Sequence, residues 1–338
     1  MKILEPSRGI MVTSIDLELA WGTFRKEWYR IHEDVLLRGR ELVEDLLQLF
    51  ERHTIPATWA IVGHLFLESC SRQGAVAHPE IPRTTPAWLR GKDWFSHDPC
   101  TDRSRAPLWY GPDLIEKILR CPVPQEIASH SFSHVDFTED SCGPEVVRAE
   151  LAACLEEAGR HGVTVRSFVF PQDHSGHLDL LREAGFAVYR GPTASLFQQV
   201  HPRWVGRLMH FLDDLFAWPA GDVWPREALP GLWELPGSMM YGFTFGVRRW
   251  IPIRARVRKA KQGIERAIRD RKIFHFWFHP ETLGYQDREL FEGFEDIYAY
   301  ADRRRREGVL EIVTMQEAVA RCTGNRRKSG LEVLTPTP

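Results

Sequence analysis

The chain has 338 residues, 43% of them hydrophobic and 27% charged, with 44 Lys and Arg against 46 Asp and Glu for a net charge of −2. That balance excludes a global basic field for nucleic acid, and no apolar run reaches the ~18 residues that a membrane span needs. The charged start, Met1 to Arg8, holds no apolar signal segment, and the six cysteines form no C-x-x-C pair, so reduced thiols in the cytoplasm are the expectation.

Short apolar runs alternate with amphipathic stretches. Residues 9–15 (GIMVTSI) predict a first strand, and 34–50 carry a helical apolar stripe. Residues 57–62 predict a second strand. A helix over 112–119 starts on proline, a strand follows at 126–129, and a helix over 144–160 stops at Gly162. Further strands are expected at 165–170, 186–189, 232–235, 273–278 and 309–313, with helices at 178–184, about 253–271, 288–307 and 314–321. This alternation predicts a parallel α/β fold. Eight candidate strands suit a (β/α) barrel, read as a single domain over 1–322. The long stretch 68–111 after the second strand has little periodicity and reads as a functional insertion. From 323 to 338 the chain is polar and reads as a flexible tail. No glycine-rich phosphate fingerprint follows the first strand, which counts against a dinucleotide-binding fold.

Candidate chemistry gathers just past predicted strand ends. Asp16 and Glu18 are two residues apart, so in extended chain they face one space; a helix cap and an exposed acid would be the ordinary alternative. His130 and His134, in H-S-F-S-H, share a face if the segment turns helical and could then grip one metal ion. In F-H-F-W-F-H-P, His275 reads as a hydrogen-bonded core residue and His279 as a rim residue suited to proton transfer. His64, Asp173, Arg190 and Ser238 follow other strand ends. In a parallel barrel all of these ends meet on one face, where active sites lie. A carboxylate with two imidazoles is the pattern of catalytic zinc, and also of non-heme iron oxygenases.

In this order the motifs resemble the polysaccharide deacetylases, carbohydrate esterase family 4: a spaced carboxylate pair after strand one, H-S-x-x-H after strand three, F-x-x-P (Phe168 to Pro171) after strand four and F-H-P after strand seven, over about Ile10 to Ala320. The resemblance implies a distorted barrel of seven or eight parallel strands and one divalent metal, zinc or another such as Co2+. The activity it implies is hydrolysis of an N-acyl group, the N-acetyl first, on an amino sugar or glycan in cell-surface polysaccharide assembly. It assigns Asp16 as base, Glu18, His130 and His134 as metal ligands, and His279 as general acid. The family usually carries an Arg near Val169 to brace the catalytic carboxylate; here Arg190, Gln172 and Asp173 are the candidates for that place, Arg190 first. His64, Trp94, Trp109, Tyr110, Pro171, Gln172, Asp173 and Ser238 are expected to bind substrate, with 68–111 either a lid or a local mini-core under a long loop. Two rivals remain open: hydrolysis of a small non-sugar amide or cyclic imide, and a non-catalytic glycan-binding barrel. Segment 248–272 holds 11 Lys or Arg. It reads either as a solvated helix face or, with Phe243, Phe245, Trp250 and Ile251, as a contact across 243–272 to anionic lipid or a lipid-linked glycan.

Overall fold

The computed structural model describes residues 5–193, 220–242, 246–285 and 287–324, except 24 and 26, together with 205, 209, 213 and 215. The expected tail, from 325 on, and Phe243 and Phe245 lie outside the described residues.

Strand β1 (Gly9–Leu17) is buried along its whole length, as a central strand covered on both faces must be. It is flanked by β2 (Thr58–Ile61) and β11 (Ile273–Phe278). From β2 the curled sheet continues through β5 (Glu126–Ser129), β6 (Ser167–Val169), β7 (Val188–Gly191) and β9 (Leu232–Pro236), every neighbour parallel. On the other side β10 (Met239–Tyr241) pairs β11, also in parallel. Strands β9 and β10 are one run of chain bent at Gly237 and Ser238, so a single segment joins the two ends of the sheet. At the bend the Ser238 N–H donates to the His275 carbonyl (2.8 Å) and the His275 N–H donates to Ser238 Oγ (3.0 Å). The lower half of β1 also pairs β12 (Leu310–Val313). The antiparallel edge strand β8 (Arg226–Leu229) and the two-residue hairpin strands β3 (Arg72–Gln73) and β4 (Val76–Ala77) complete the set. β3, β4, β8 and β10 have no counterpart among the expected strands: β3, β4 and β10 span two or three residues, and β8 (REAL) carries no apolar run. By contrast, the expected elements 112–119, 126–129, 144–160 and 273–278 have those bounds in the structure.

Alternation of side chains across the pleat separates two layers of core. Met11, Ile15, Phe168, Phe274, Phe276 and Phe278 face outward, under α2 (Glu33–His53), α3 (Pro112–Leu119), α4 (Pro144–Arg160), α5 (Leu178–Glu183), α6 (Ile253–Asp270) and α7 (Asp287–Arg306). Ile10, Val12, Ala60, Ala128, Val169, Val188 and Leu235 face inward, and α8 (Met315–Thr323) plugs that end with Met315, Ala318 and Val319. The same inward register, carried two or four residues further along each strand, places Ser14, Asp16, Arg190 and His275 in a polar layer above the apolar one.

The basic stretch on α6 is largely matched by acids. Lys259 pairs Asp213 (2.6 Å), Lys261 pairs Asp296 (2.6 Å), and Arg266 and Lys272 share Asp222. Trp250 is exposed, but Ile251 is only 2% exposed and cannot take part in the expected membrane contact. Among the described residues no helix is long and apolar enough to cross a membrane.

Helix α2 lies against the turn 280–285, and two glycines set the spacing. A Cβ at Gly39 would stand 2.3 Å from Glu281 Cα, and one at Gly284 would stand 2.4 Å from the Val35 carbonyl oxygen. Glycine in a helix is otherwise unfavourable by ~1 kcal/mol against alanine. Gly39→Ala is therefore expected to lower stability by ~1–3 kcal/mol, the usual cost of overpacking. Gly159→Ala, where an added Cβ meets nothing within 4 Å, is expected to raise it by up to ~1 kcal/mol. Chemical denaturation of the two variants checks the contrast; equal signs would remove the close-packing account.

Candidate active site

Asp16 closes the inward register of β1, and Glu18 follows one step beyond the strand. Both are buried, at 2% and 7% exposure. Arg190, at the same level on β7, reaches across the barrel and grips Asp16 with both arms: Nη1 donates to Oδ1 and Nη2 to Oδ2, each at 2.6 Å. Arg190 is the parallel-register partner of Val169 on the next strand. A cation is thus supplied from β7 to the space that Val169 cannot serve from β6. Nη2 also donates to Asp173 Oδ1 (3.2 Å), and the guanidinium lies 4.2 Å over the Trp277 ring.

Behind the pair runs a chain of hydrogen bonds. The His275 ring stands 3.0 Å by Nδ1 from the Pro236 carbonyl, which can only accept, so Nδ1 carries the hydrogen. Burial, and then the Arg190 charge, lower His275 to about 3, so the ring is neutral and Nε2 accepts from Ser14 Oγ (2.9 Å). Ser14 Oγ in turn accepts from Arg190 Nη1 (3.2 Å). Burial alone would raise Asp16, but Arg190 and then His279 outweigh it and hold its carboxyl below the usual range.

Glu18 Oε1 is the meeting point of three imidazoles. His130 Nε2 is 2.9 Å away, His134 Nε2 3.2 Å and His279 Nε2 3.3 Å. His279 Nε2 is also 3.6 Å from Asp16 Oδ2. Burial works against both charged forms, but attraction prevails: His134 and His279 hold Glu18 well below its ordinary value, and Glu18 with Asp16 pushes His279 up to about 10.

Glu18, His130 and His134 fit a divalent cation. His130 Nδ1 stands 2.8 Å from the Val169 carbonyl and donates to it, which in a neutral ring leaves the Nε2 lone pair aimed at the carboxylate. His134 Nε2 is buried with no hydrogen-bond partner. In a neutral His130 ring, that lone pair facing the carboxylate asks for a positive centre between them, and a ligating histidine whose other nitrogen donates to a carbonyl is the usual arrangement.

The 130–134 segment is not helical, contrary to the expectation. Ser131 and His134 have positive φ, at 57° and 61°, and the two rings meet at 5.0 Å across an irregular loop. Glu150 of α4 holds that loop from beneath. Fully buried, it accepts from the N–H groups of Phe132 and Ser133 (2.8 Å each) and from Ser133 Oγ (2.6 Å). Burial pushes its carboxyl up to about 7.

Beside this cluster is a pocket of about 540 Å3 with Glu18, His134 and His279 at its base and Trp21, Trp28, Trp88, Trp94 and Tyr285 in its walls. Two of the expected substrate-binding residues, Trp94 and Gln172, line it. The others do not. Asp173 is engaged by Arg190, Pro171 is buried, and Ser238 is consumed in closing the barrel. His64, just before the insertion, and Tyr110, within it, are fully buried. Trp109 stands behind Trp21, edge to face at 5.1 Å. Their position after a strand end signals the correct face of the barrel, but the aromatic groups of the insertion are needed for its own core. Sequence reasoning missed Trp21, Glu150 and Glu281. Glu281 lines the pocket, and burial pushes its carboxyl, both oxygens without a partner, up to about 8.

No protein-family profile matches the chain, and no curated protein matches it. Solved structures do. A Mycobacterium smegmatis protein assigned as a polysaccharide deacetylase superposes with a TM-score of 0.60 at 15% identity, covering 96% of this chain and 94% of its own. A Pseudomonas aeruginosa PAO1 protein of the same assignment gives 0.59 at 12% identity, covering 94% and 91%. The fold is that of the polysaccharide deacetylases. The allantoinase PuuE shares it equally, at 0.60 and 10% identity over 95% and 93%. At such identities the likeness is one of fold.

Three variants read this geometry. Arg190→Met removes the group that lowers Asp16, so the acidic limb of the kcat/KM profile is expected to move to higher pH with metal content unchanged. The charge left unpaired should also cost ~3–5 kcal/mol of stability. Arg190→Lys keeps the charge without the fork and is expected to shift the limb less. A Cβ at Gly22 would lie 1.6 Å from Glu18 Oε2, so Gly22→Ala is expected to displace that carboxylate and lower metal content while the fold persists. Metal analysis with circular dichroism checks Gly22→Ala; unchanged stoichiometry would remove Glu18 from the ligand set.

Proposed function

We propose that the chain is a metal-dependent hydrolase of the polysaccharide deacetylase family, in a branch with spaced carboxylates, that removes an N-acyl group, the N-acetyl first, from an amino sugar or glycan. The observation that carries this reading is the meeting of an Arg-braced carboxylate, a Glu-His-His donor set and a proton-bearing histidine at the base of one aromatic pocket. Aromatic faces suit sugar rings, and the six unbridged cysteines suit a reducing compartment, as the cytoplasmic side of cell-surface polysaccharide assembly would be.

Glu18, His130 and His134 would hold the ion, zinc by its liking for nitrogen and oxygen donors, with Co2+ as a substitute. When bound, such an ion polarises an acyl oxygen and lowers the pKa of a water toward ~7. Asp16, kept ionised by Arg190, takes the proton of the attacking water. His279, protonated between two carboxylates, gives its proton to the departing amine nitrogen, without which an amide nitrogen leaves poorly. The tryptophans close the walls around the acyl sugar and reduce access of bulk water. An iron oxygenase has no use for this acid and base pair, which favours hydrolysis.

The shared fold with an allantoinase supports a second reading, a small non-sugar amide. A panel of N-acetylated sugar oligomers, a nucleotide-linked N-acetyl amino sugar, an N-formyl amino sugar and allantoin, scored by mass spectrometry after incubation with metal-loaded protein, separates them. Loss of acyl mass from a sugar is the expected result. Turnover of allantoin alone supports the second reading, and no turnover of any member supports a glycan-binding barrel. Asp16→Asn is expected to retain its metal and lose ~10²–10⁴-fold in rate, the usual contribution of a general base. His134→Ala is expected to lose the ion held by Glu18 and His130, and with it activity, with the fold intact. Loss of metal in Asp16→Asn would exchange the roles of Asp16 and Glu18.

A further inference from the structure

The insertion between β2 and α3 has almost no regular structure. Over residues 68–111 it holds only the β3–β4 hairpin and two short turns of helix, yet it supplies Trp88 and Trp94 to the pocket walls. Something other than a ladder of backbone hydrogen bonds must fix it. At its centre His64, Cys70, His78 and Asp98 bring one donor atom each to a common point, all four within 4.8 Å of one another. The Asp98 side chain and His64 are fully buried, and the His78 side chain is 8% exposed.

We propose that these four side chains form a second metal site, structural in role, that takes a zinc-like divalent ion and staples the insertion to the barrel.

The hydrogen positions lead to this assignment. His64 Nδ1 faces the Trp109 carbonyl at 3.1 Å, and His78 Nδ1 faces Glu80 Oε1 at 3.2 Å. Both partners can only accept, so both Nδ1 atoms carry hydrogen. In neutral rings the two Nε2 lone pairs then face each other at 3.2 Å, and each faces Asp98 Oδ2, at 3.2 and 3.1 Å. Cys70 Sγ stands 3.3 Å from the same oxygen. Three acceptors turned toward one another repel unless a cation lies among them. A single added proton would satisfy one contact and leave the other ring without a donor. A tetrahedral ion with bonds of ~2.0–2.1 Å to nitrogen and oxygen separates those ligands by ~3.3 Å, and the three spacings among the two Nε2 atoms and Asp98 Oδ2 are 3.1–3.2 Å.

The surroundings are those of a ligand set. A carboxylate on the far nitrogen of one histidine and a carbonyl on the other are the outer partners that orient metal-binding rings. The second oxygen of Asp98 accepts from the Cys100 N–H (2.9 Å) and lies 3.4 Å from the Tyr110 hydroxyl, which fixes the carboxylate. Four protein ligands with no open position mark a structural zinc. The site touches the pocket through packing: the His64 ring lies 4.6 Å from Trp21, and the His78 ring 4.9 Å from Phe95, next to Trp94. Ion binding would thus order the pocket wall without taking part in the chemistry.

Cobalt substitution separates this site from the Glu18 cluster, because only the second site holds a thiol. Full-length protein stripped with chelator and reloaded with Co2+ is expected to take two equivalents and to show a near-ultraviolet thiolate-to-cobalt charge-transfer band. His134→Ala is expected to take one equivalent and keep the band. Cys70→Ser is expected to lose the band, Cys100→Ser to keep it, and Glu80→Ala to weaken the tight binding that gives the band by ~10-fold or more. The wild-type spectrum needs no variant to fold. Absence of the band from both wild type and His134→Ala would overturn the proposal. The catalytic reading fails in a different way: the wild type would then hold one equivalent, with the band.

Discussion

A guanidinium inside a barrel must be paired, and the pairing of Arg190 with Asp16 is the constraint on which the site depends. Neither group tolerates burial alone, since an uncompensated buried charge costs several kcal/mol. Together they form two parallel bonds of 2.6 Å, the fork geometry that gives Arg–carboxylate pairs their directional strength. The pair spans the barrel from β1 to β7, so it also fixes how these strands face each other. Ser14 and neutral His275 extend it to the Pro236 carbonyl on β9. The polar layer therefore links β1, β7, β9 and β11, the strands around the bend that joins the sheet ends.

From that layer the rest of the site follows by strand direction. In a parallel barrel every strand delivers its last inward residue to one rim. Asp16 and Arg190 are such residues, while Glu18, His130 and His279 sit just past strand ends. Chemistry changes within a few ångströms along this axis: neutral His275 belongs to the buried layer, and His279, four residues on, reaches two carboxylates at the pocket base. One residue type thus performs two tasks according to its depth in the barrel. The apolar layer below, plugged by α8, gives the polar layer a rigid floor.

Much of this was legible in the sequence because strand ends carry a strong signal. The alternation of apolar runs predicted the barrel, and the spaced carboxylates and paired histidines marked its rim. Arg190 could be named, with Gln172 and Asp173, because Val169 left the place of a brace unfilled, and among the three only Arg190 carries a positive charge. Depth and direction were not legible. His64 sits just before an insertion and Trp109 and Tyr110 within it, a segment whose aromatic pattern fits a lid and a local core equally, and Ser238 is taken up by the bend between β9 and β10. The 130–134 loop depends on Glu150, a buried acid on a helix whose pattern marks it only as a polar residue on an apolar face. Gly22 and Gly39 matter through close approaches of Glu18 and Glu281 that no local pattern records. In the sequence the basic run on α6 has only Glu265 and Asp270 within it, because Asp213, Asp222 and Asp296, which pair some of its cations, lie far from most of it along the chain.

The measurement that tests the central claim most directly is anomalous diffraction at the zinc edge from crystals of metal-loaded protein. The account predicts a peak at ~2.0–2.2 Å from Glu18, His130 Nε2 and His134 Nε2, the range of zinc bonds to oxygen and nitrogen, with Asp16 still held by Arg190 and outside bonding distance of the ion. A loaded crystal with no peak among these three side chains, or with the ion bound by Asp16 and the Arg190 pair broken, would contradict it.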